Sequence, residues 1–127
     1  DRTTERTILD ALEIQDPELA EEIKKRMFVF EDIVTLDNRA IQRIIRDCEN
    51  EDLLLSLKVS SEEVKEIIYK NMSSRMVETF KEEIEYMGPV RLRDVEEAQS
   101  RIVSVIRRLE ESGEIVIARG GGDDIIV

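Results

Sequence analysis

The chain contains no histidine. The side chain that most often moves protons near neutral pH and most often ligates metals is therefore missing, and most acid–base and metal-assisted schemes go with it. The groups left for chemistry are carboxylates, guanidinium groups, one thiol and a triple glycine. Glu82 and Glu83 are adjacent carboxylates inside a helical pattern. Neighbours on a helix point about 100° apart and cannot face each other across a bond as paired-acid hydrolysis requires, so a solvated acidic pair is expected. Gly120, Gly121 and Gly122 suggest a phosphate loop, but no Gly-Lys-Ser/Thr follows and Asp123 and Asp124 would repel phosphate. A turn is expected there. Cys48 is the single cysteine, which excludes an internal disulfide and suits a reducing compartment. No catalytic residue, metal site or cofactor is expected.

Charge is instead sorted by side. Read as a helix, residues 73–87 put Met76, Val77, Phe80, Ile84 and Met87 on one face, to be buried, and Arg75, Glu78, Glu82 and Glu85 on the opposite one. The result is a solvent-facing ridge of mixed sign. A row of this kind is ordinarily only a solvated face, whereas the sharper reading is a contact surface for a charged partner.

The elements that must hold this ridge follow from composition and punctuation. The 127 residues are 39% charged and 41% hydrophobic with only 4% aromatic, so the core must be aliphatic, as in packed helices. A net charge of −11 repels phosphate polymers and anionic lipid surfaces. No apolar run approaches the ~18 to 20 residues that span a bilayer, so no direct membrane insertion is expected. The opening Asp1-Arg2-Thr3-Thr4, without Met, reads as the start of a fragment.

Along the chain, Thr4 is placed to cap a first helix carrying Ile8, Leu9 and Leu12, and Asp16-Pro17 opens a second with Leu19, Ile23 and Met27 in a narrow stripe. A pair this small cannot bury its own faces, so it is expected to be part of a helical repeat. Met27, Phe28, Val29 and Phe30 form a candidate joint. Asp37 then caps a helix stapled by Leu36 and Ile41, with Ile44, Ile45 and Cys48 on its buried face, and a short helix covers residues 53–57. Ser60 and Glu63 form a capping box, with Val59 and Val64 as staple, for a helix carrying Ile67 and Ile68. Gly88-Pro89 breaks the ridge helix, and residues 93–111 make the longest helix, with Val95, Ala98, Ile102, Val105, Ile106 and Leu109 inward and Gly113 as its stop. Two β-branched runs, residues 115–117 and 125–127, flank the triple glycine as a small hairpin.

A winged-helix DNA reader shares the outline of a short turn, a long helix with Arg101, Arg107 and Arg108, and a terminal hairpin. Those arginines alternate with Asp94, Glu96, Glu97, Glu110 and Glu111, leaving no continuous basic face for phosphate, so nucleic acid is not the expected partner.

Four ordered motifs, Met27-Phe28-Val29-Phe30, the run from Asp37 to Arg43, Asn71-Met72-Ser73 and Gly88-Pro89-Val90-Arg91-Leu92, resemble the FliG family of flagellar motor switch proteins. The terminal Gly113-Glu114-Ile115-Val116-Ile117 also fits, and the likeness covers nearly the whole chain. The resemblance implies a mainly α fold: an armadillo-like helical pair in residues 1–30, joined by a hinge to a six-helix C-terminal torque domain in residues 33–127 that ends in a small β-hairpin. It implies stator-contacting charges at Lys58, Arg75, Glu82, Glu83 and Arg91, a hinge at Met27, Phe28, Val29 and Phe30, and a turn at Gly88 and Pro89 that aims Arg91. The family often has aspartate at the two acidic positions, so glutamate here keeps the sign on a longer arm. The implied role is a non-enzymatic rotor component that transmits torque and sets rotation sense at the cytoplasmic side of the bacterial inner membrane, in the basal body. Implied partners are the cytoplasmic loop of the stator protein MotA, the switch protein FliM, neighbouring FliG copies and, through a missing N-terminal region, FliF. The rival is a generic armadillo-type scaffold whose binding energy lies in apolar helix faces.

Overall fold

The computed structural model describes residues 2–26 and 28–117. Its described residues divide into two compact units, one reaching as far as Phe28 and the other starting at Val29. The first unit contains α1 (Arg2–Gln15) and α2 (Pro17–Arg26), which pack on each other. Asp16 ends the first helix and caps the second: its Oδ1 accepts from the Leu19 N–H at 3.2 Å, and Pro17 takes the first helical position, where a missing N–H costs nothing. Thr4 lies inside α1 rather than at its cap. Leu9 and Ala20 are buried, while Ile8, Ile14 and Leu19 are exposed, so the pair leaves apolar surface uncovered.

In the second unit, a 3₁₀-helix (Phe30–Thr35) precedes α3 (Asn38–Asp47), α4 (Asn50–Lys58), α5 (Glu62–Lys70), α6 (Ser74–Met87) and α7 (Leu92–Glu111). Three residues per turn put Phe30, Ile33 and Leu36 in one line, and all three are buried, packing the 3₁₀-helix against α5 and α7. Its start is closed reciprocally: the Asp32 N–H donates to Val29 O at 2.9 Å and the Val29 N–H donates to Asp32 Oδ2 at 3.0 Å.

The centre of this unit is α7. It buries Val95, Ala98, Ile102, Val103, Ile106 and Leu109, with Val105 half-buried, and packs on α4, α3 and the 3₁₀-helix. Facing it, α4 contributes Leu53 and Leu57, and α3 contributes Ala40, Ile41, Ile44 and Ile45. The α3 cap follows the expected chemistry, with the Ala40 N–H donating to Asp37 Oδ1 at 2.8 Å and Leu36 and Ile41 both buried. The short helix expected over residues 53–57 is longer at both ends, Asn50–Lys58.

The α5 cap differs from expectation. Ser61, not Ser60, is the N-cap, accepting from the Val64 N–H at 3.3 Å, while the Ser60 hydroxyl donates backward to Ser56 O at 2.6 Å. The third helical position is then Val64 rather than Glu63, so no capping box forms, and Val59 is exposed rather than stapled.

At the other end, α7 closes in a Schellman motif: Gly113 adopts φ 81°, its N–H donates to Glu110 O at 3.0 Å, and the Glu114 N–H reaches Leu109 O at 2.9 Å. Ile115 folds back and is buried behind this stop, and residues 115–117 are irregular rather than strand. No strand occurs among the described residues; the second arm of the expected hairpin, with Gly120, Gly121 and Gly122, lies outside them.

Candidate functional site

The ridge helix α6 begins with Ser73, whose hydroxyl accepts from the Met76 N–H at 3.1 Å. Among its 14 residues only Phe80 is fully buried, at 3% exposure; Met76, Val77, Ile84 and Met87 are half-buried on the same side. One aromatic ring thus anchors the helix, a burial that stabilises by about 1.5–3 kcal/mol. Arg75, Glu78, Glu82 and Glu85 are exposed, as the periodicity requires, and Glu83, about 100° around the helix from Glu82, is exposed as well. Gly88 ends the helix with φ 68° and ψ −164°, a region that residues with a Cβ almost never enter, and Arg91 becomes the exposed N-cap residue of α7.

These surface charges differ in their bonding from the charges that join one element to another. Among the described residues, Arg75, Glu78, Glu82, Glu83, Glu85 and Arg91 form no ion pair. At three places opposite charges tie one segment of the second unit to another. Arg43 pairs with Asp47 at 3.3 Å and with Glu114, and Asp47 also meets Arg108 at 3.7 Å, which joins α3 to the end of α7. Arg101 grips Asp52 with two nitrogens: Nε stands 3.1 and 3.2 Å from the two carboxylate oxygens and Nη2 2.9 Å from one of them. Asp52 is only 6% exposed while the Arg101 side chain stays exposed, so the pair stitches α4 to α7 at the rim of the core, and the bond to Asp52 raises the pKa of Arg101 further. Arg101 and Arg108, two of the arginines a DNA reader would turn to phosphate, are thus engaged with carboxylates of the same domain.

Lys58 stands apart from the other four charged positions. It is half-buried, and its Nζ donates to Ile84 O in α6 at 3.4 Å. The sequence carries a partial signal for this, since Lys58 is the basic residue in the last turn of α4. Neither its bond to α6 nor the Asp52–Arg101 pair, 49 positions apart, shows in any local pattern.

Of the expected joint, Phe30 lies buried at the start of the 3₁₀-helix, Val29 is exposed, Phe28 is buried, and Met27 is outside the described residues. Asn71 braces the corner before α6: its amide donates to Asn38 Oδ1 at 3.2 Å and to Ile67 O at 2.9 Å, and its oxygen accepts from Gln42 at 3.1 Å. The Cys48 thiol is pushed up to about 12 by burial first and by Asp52 and Asp47 next, which keeps it protonated and unreactive at neutral pH. A groove of about 660 Å³ runs between α5 and α6, where Lys81 sits 5.4 Å from the centre of the Tyr69 ring and Val77 and Ile84 form part of the wall. No group of three or more Cys, Asp or Glu side chains among the described residues could hold a metal ion, and no described helix is long and apolar enough to cross a membrane.

Residues 10–117 match a family model described as the FliG C-terminal domain. The whole chain aligns with the flagellar motor switch proteins FliG of Bacillus subtilis (strain 168), at 85% identity, and Thermotoga maritima, at 61%, covering 38% of each. The chain therefore spans well under half the length of these relatives. Among solved structures, a crystal structure of a Helicobacter pylori FliG segment aligns over 93% of this chain and 52% of its own, with a TM-score of 0.76 and 41% identity. Full-length FliG from Aquifex aeolicus gives 0.68 at 35% identity, over 89% of this chain and 35% of its own.

Proposed function

The chain belongs to the FliG C-terminal domain family, and from that premise we propose that it is the part of a flagellar rotor component on which the stator pushes. The observation that carries this reading is the unpaired, exposed charge of Arg75, Glu82, Glu83 and Arg91 on and beside a helix anchored by Phe80. Exposed ion pairs are worth only ~0.2–1 kcal/mol each. They are screened beyond about 8 Å at physiological ionic strength. Contacts of this kind steer and register a passing partner without holding it, which suits a rotor that must engage and release repeatedly. Charges already paired within the domain would first have to be pulled from their own partners.

The partner on this surface is the cytoplasmic loop of the stator protein MotA. FliM and, through the remainder of the protein, FliF complete the assembly at the cytoplasmic side of the inner membrane. Exposed Ile8, Ile14 and Leu19 on α1 and α2 support stacking against neighbouring copies through an armadillo-like pair in residues 1–30. The segment Met27, Phe28, Val29, Phe30 is the hinge that reorients the torque domain, residues 33–127, and so sets rotation sense; the buried Phe30 is its fixed end, and Val29, exposed, the side free to turn. The role is mechanical, with no catalytic step.

The test is charge reversal in the full-length protein. Arg75→Glu or Glu82→Lys is expected to impair swimming while rotors still assemble; normal swimming would contradict the reading. For the hinge, Phe28→Ala is expected to bias or lock rotation direction, and unchanged switching statistics in tethered cells would refute that part.

A further inference from the structure

The C-terminal end of α6 lacks the closure that α7 has. The last four carbonyls of any helix have no partner within it. Here Gly88 turns the chain away in a conformation reserved for glycine, Pro89 has no N–H to offer, and among the described residues no backbone N–H of the link reaches a carbonyl of residues 84–87. Nor does α6 carry a basic residue in its last turn; Glu85 instead adds negative charge where the helix dipole is already negative. The group that answers this end comes from another helix: Lys58 Nζ, 3.4 Å from Ile84 O. Lys58 is also the basic residue of the last turn of α4, so one ammonium serves the negative ends of two helices. Six residues earlier on α4, and about 120° around it, Asp52 is gripped by Arg101 of α7. One helix thus holds the ridge with one side and the core with another.

We propose that Lys58 is a positioning residue for the ridge: it caps α6 from α4, which Asp52 and Arg101 lock onto α7, so that a push on the ridge passes into the core instead of fraying the helix that bears it. The torque half of this rests on the reading of the ridge given above, whereas the capping half does not. A lysine acting only as one more charge toward the stator would leave α6 unaffected in the absence of the stator.

Hydrogen exchange on the full-length protein, free of stator, separates the two. Lys58→Met is expected to speed exchange of the amides of residues 84–87 roughly two- to fivefold, the range that a terminal charge on a helix accounts for. Amides around Ile102 in α7 should keep their protection, and Lys58→Arg should restore the α6 end. In tethered cells, stall torque is expected to fall with Lys58→Met and to be retained with Lys58→Arg. Unchanged exchange at the α6 end, or an increase spread evenly over the domain, overturns the proposal while leaving the ridge reading intact. Faster exchange with undiminished stall torque also overturns it, since the cap would then have no part in transmission. Normal torque after Arg75→Glu and Glu82→Lys would instead fail the ridge reading, a result the exchange experiment cannot produce.

Discussion

Helices α6 and α7 are neighbours in the chain and are made of similar residues, yet they are used in opposite ways. Over 20 residues α7 buries six side chains; over 14, α6 buries one. Arg101 and Arg108 of α7 are tied to carboxylates of α4 and α3, whereas Arg75 and Arg91, flanking the ridge, have no ion pair among the described residues. The contrast separates two kinds of surface charge that look alike in a composition count. A paired charge holds the domain together, and an unpaired one on a shallowly seated helix is available to a partner.

Substitutions can break or sharpen this contrast. The largest expected effect is at the one place where α6 is deeply seated: Phe80→Ala should cost about 3–5 kcal/mol in denaturant-induced unfolding of the domain. A loss below 1 kcal/mol would mean that α6 is held by something other than this ring. Next comes Arg101→Leu, which leaves the Asp52 carboxylate buried without its partner; the unfolding midpoint should fall, by less than for Phe80→Ala, and Arg101→Lys should recover only part of it because the two-pronged grip is lost. Gly88→Ala meets no atom that would clash but must adopt a positive φ, which costs about 1–3 kcal/mol and should disturb the α6–α7 link. Ser56→Ala should stabilise by about 1 kcal/mol, since its hydroxyl is fully buried and has no hydrogen-bond partner among the described residues. The smallest thermodynamic effect belongs to the ridge itself: Arg75→Glu and Glu82→Lys should each change stability by less than about 0.5 kcal/mol. A large loss of stability in these two would place them among the structural charges and erase the distinction.

Local chemistry accounts for what was legible in the sequence. Asp16-Pro17, Asp37 with Leu36 and Ile41, and Gly113 act over a few residues, and each does in the structure what its spacing implies. The ridge face is equally local, since one buried and one exposed stripe are fixed by helical periodicity alone. Where two residues of the same type compete, the pattern is ambiguous: with Ser60 and Ser61 adjacent, the choice falls on Ser61 because the hydroxyl of Ser60 is drawn back to the carbonyl of Ser56. The 3₁₀-helix is hidden from helix and strand periodicity, because Phe30, Ile33 and Leu36 recur every three residues and match neither 3.6 nor 2. Residues 115–117 have the β-branched composition of a strand, but Ile115 is captured behind the α7 stop. Least legible were the contacts joining distant segments, Asp52 with Arg101 and Lys58 with Ile84, since no pattern within a helix specifies which neighbour it will meet. For that reason Lys58 resembles the ridge charges in sequence and differs from them in its surroundings.

The most direct test of the central claim is to neutralise Arg75, Glu82, Glu83 and Arg91 together, each to glutamine, in the full-length protein. Motor torque would then be measured in cells whose rotors are shown to be assembled. The account predicts torque reduced severalfold with rotor number unchanged; undiminished torque from such rotors would contradict it.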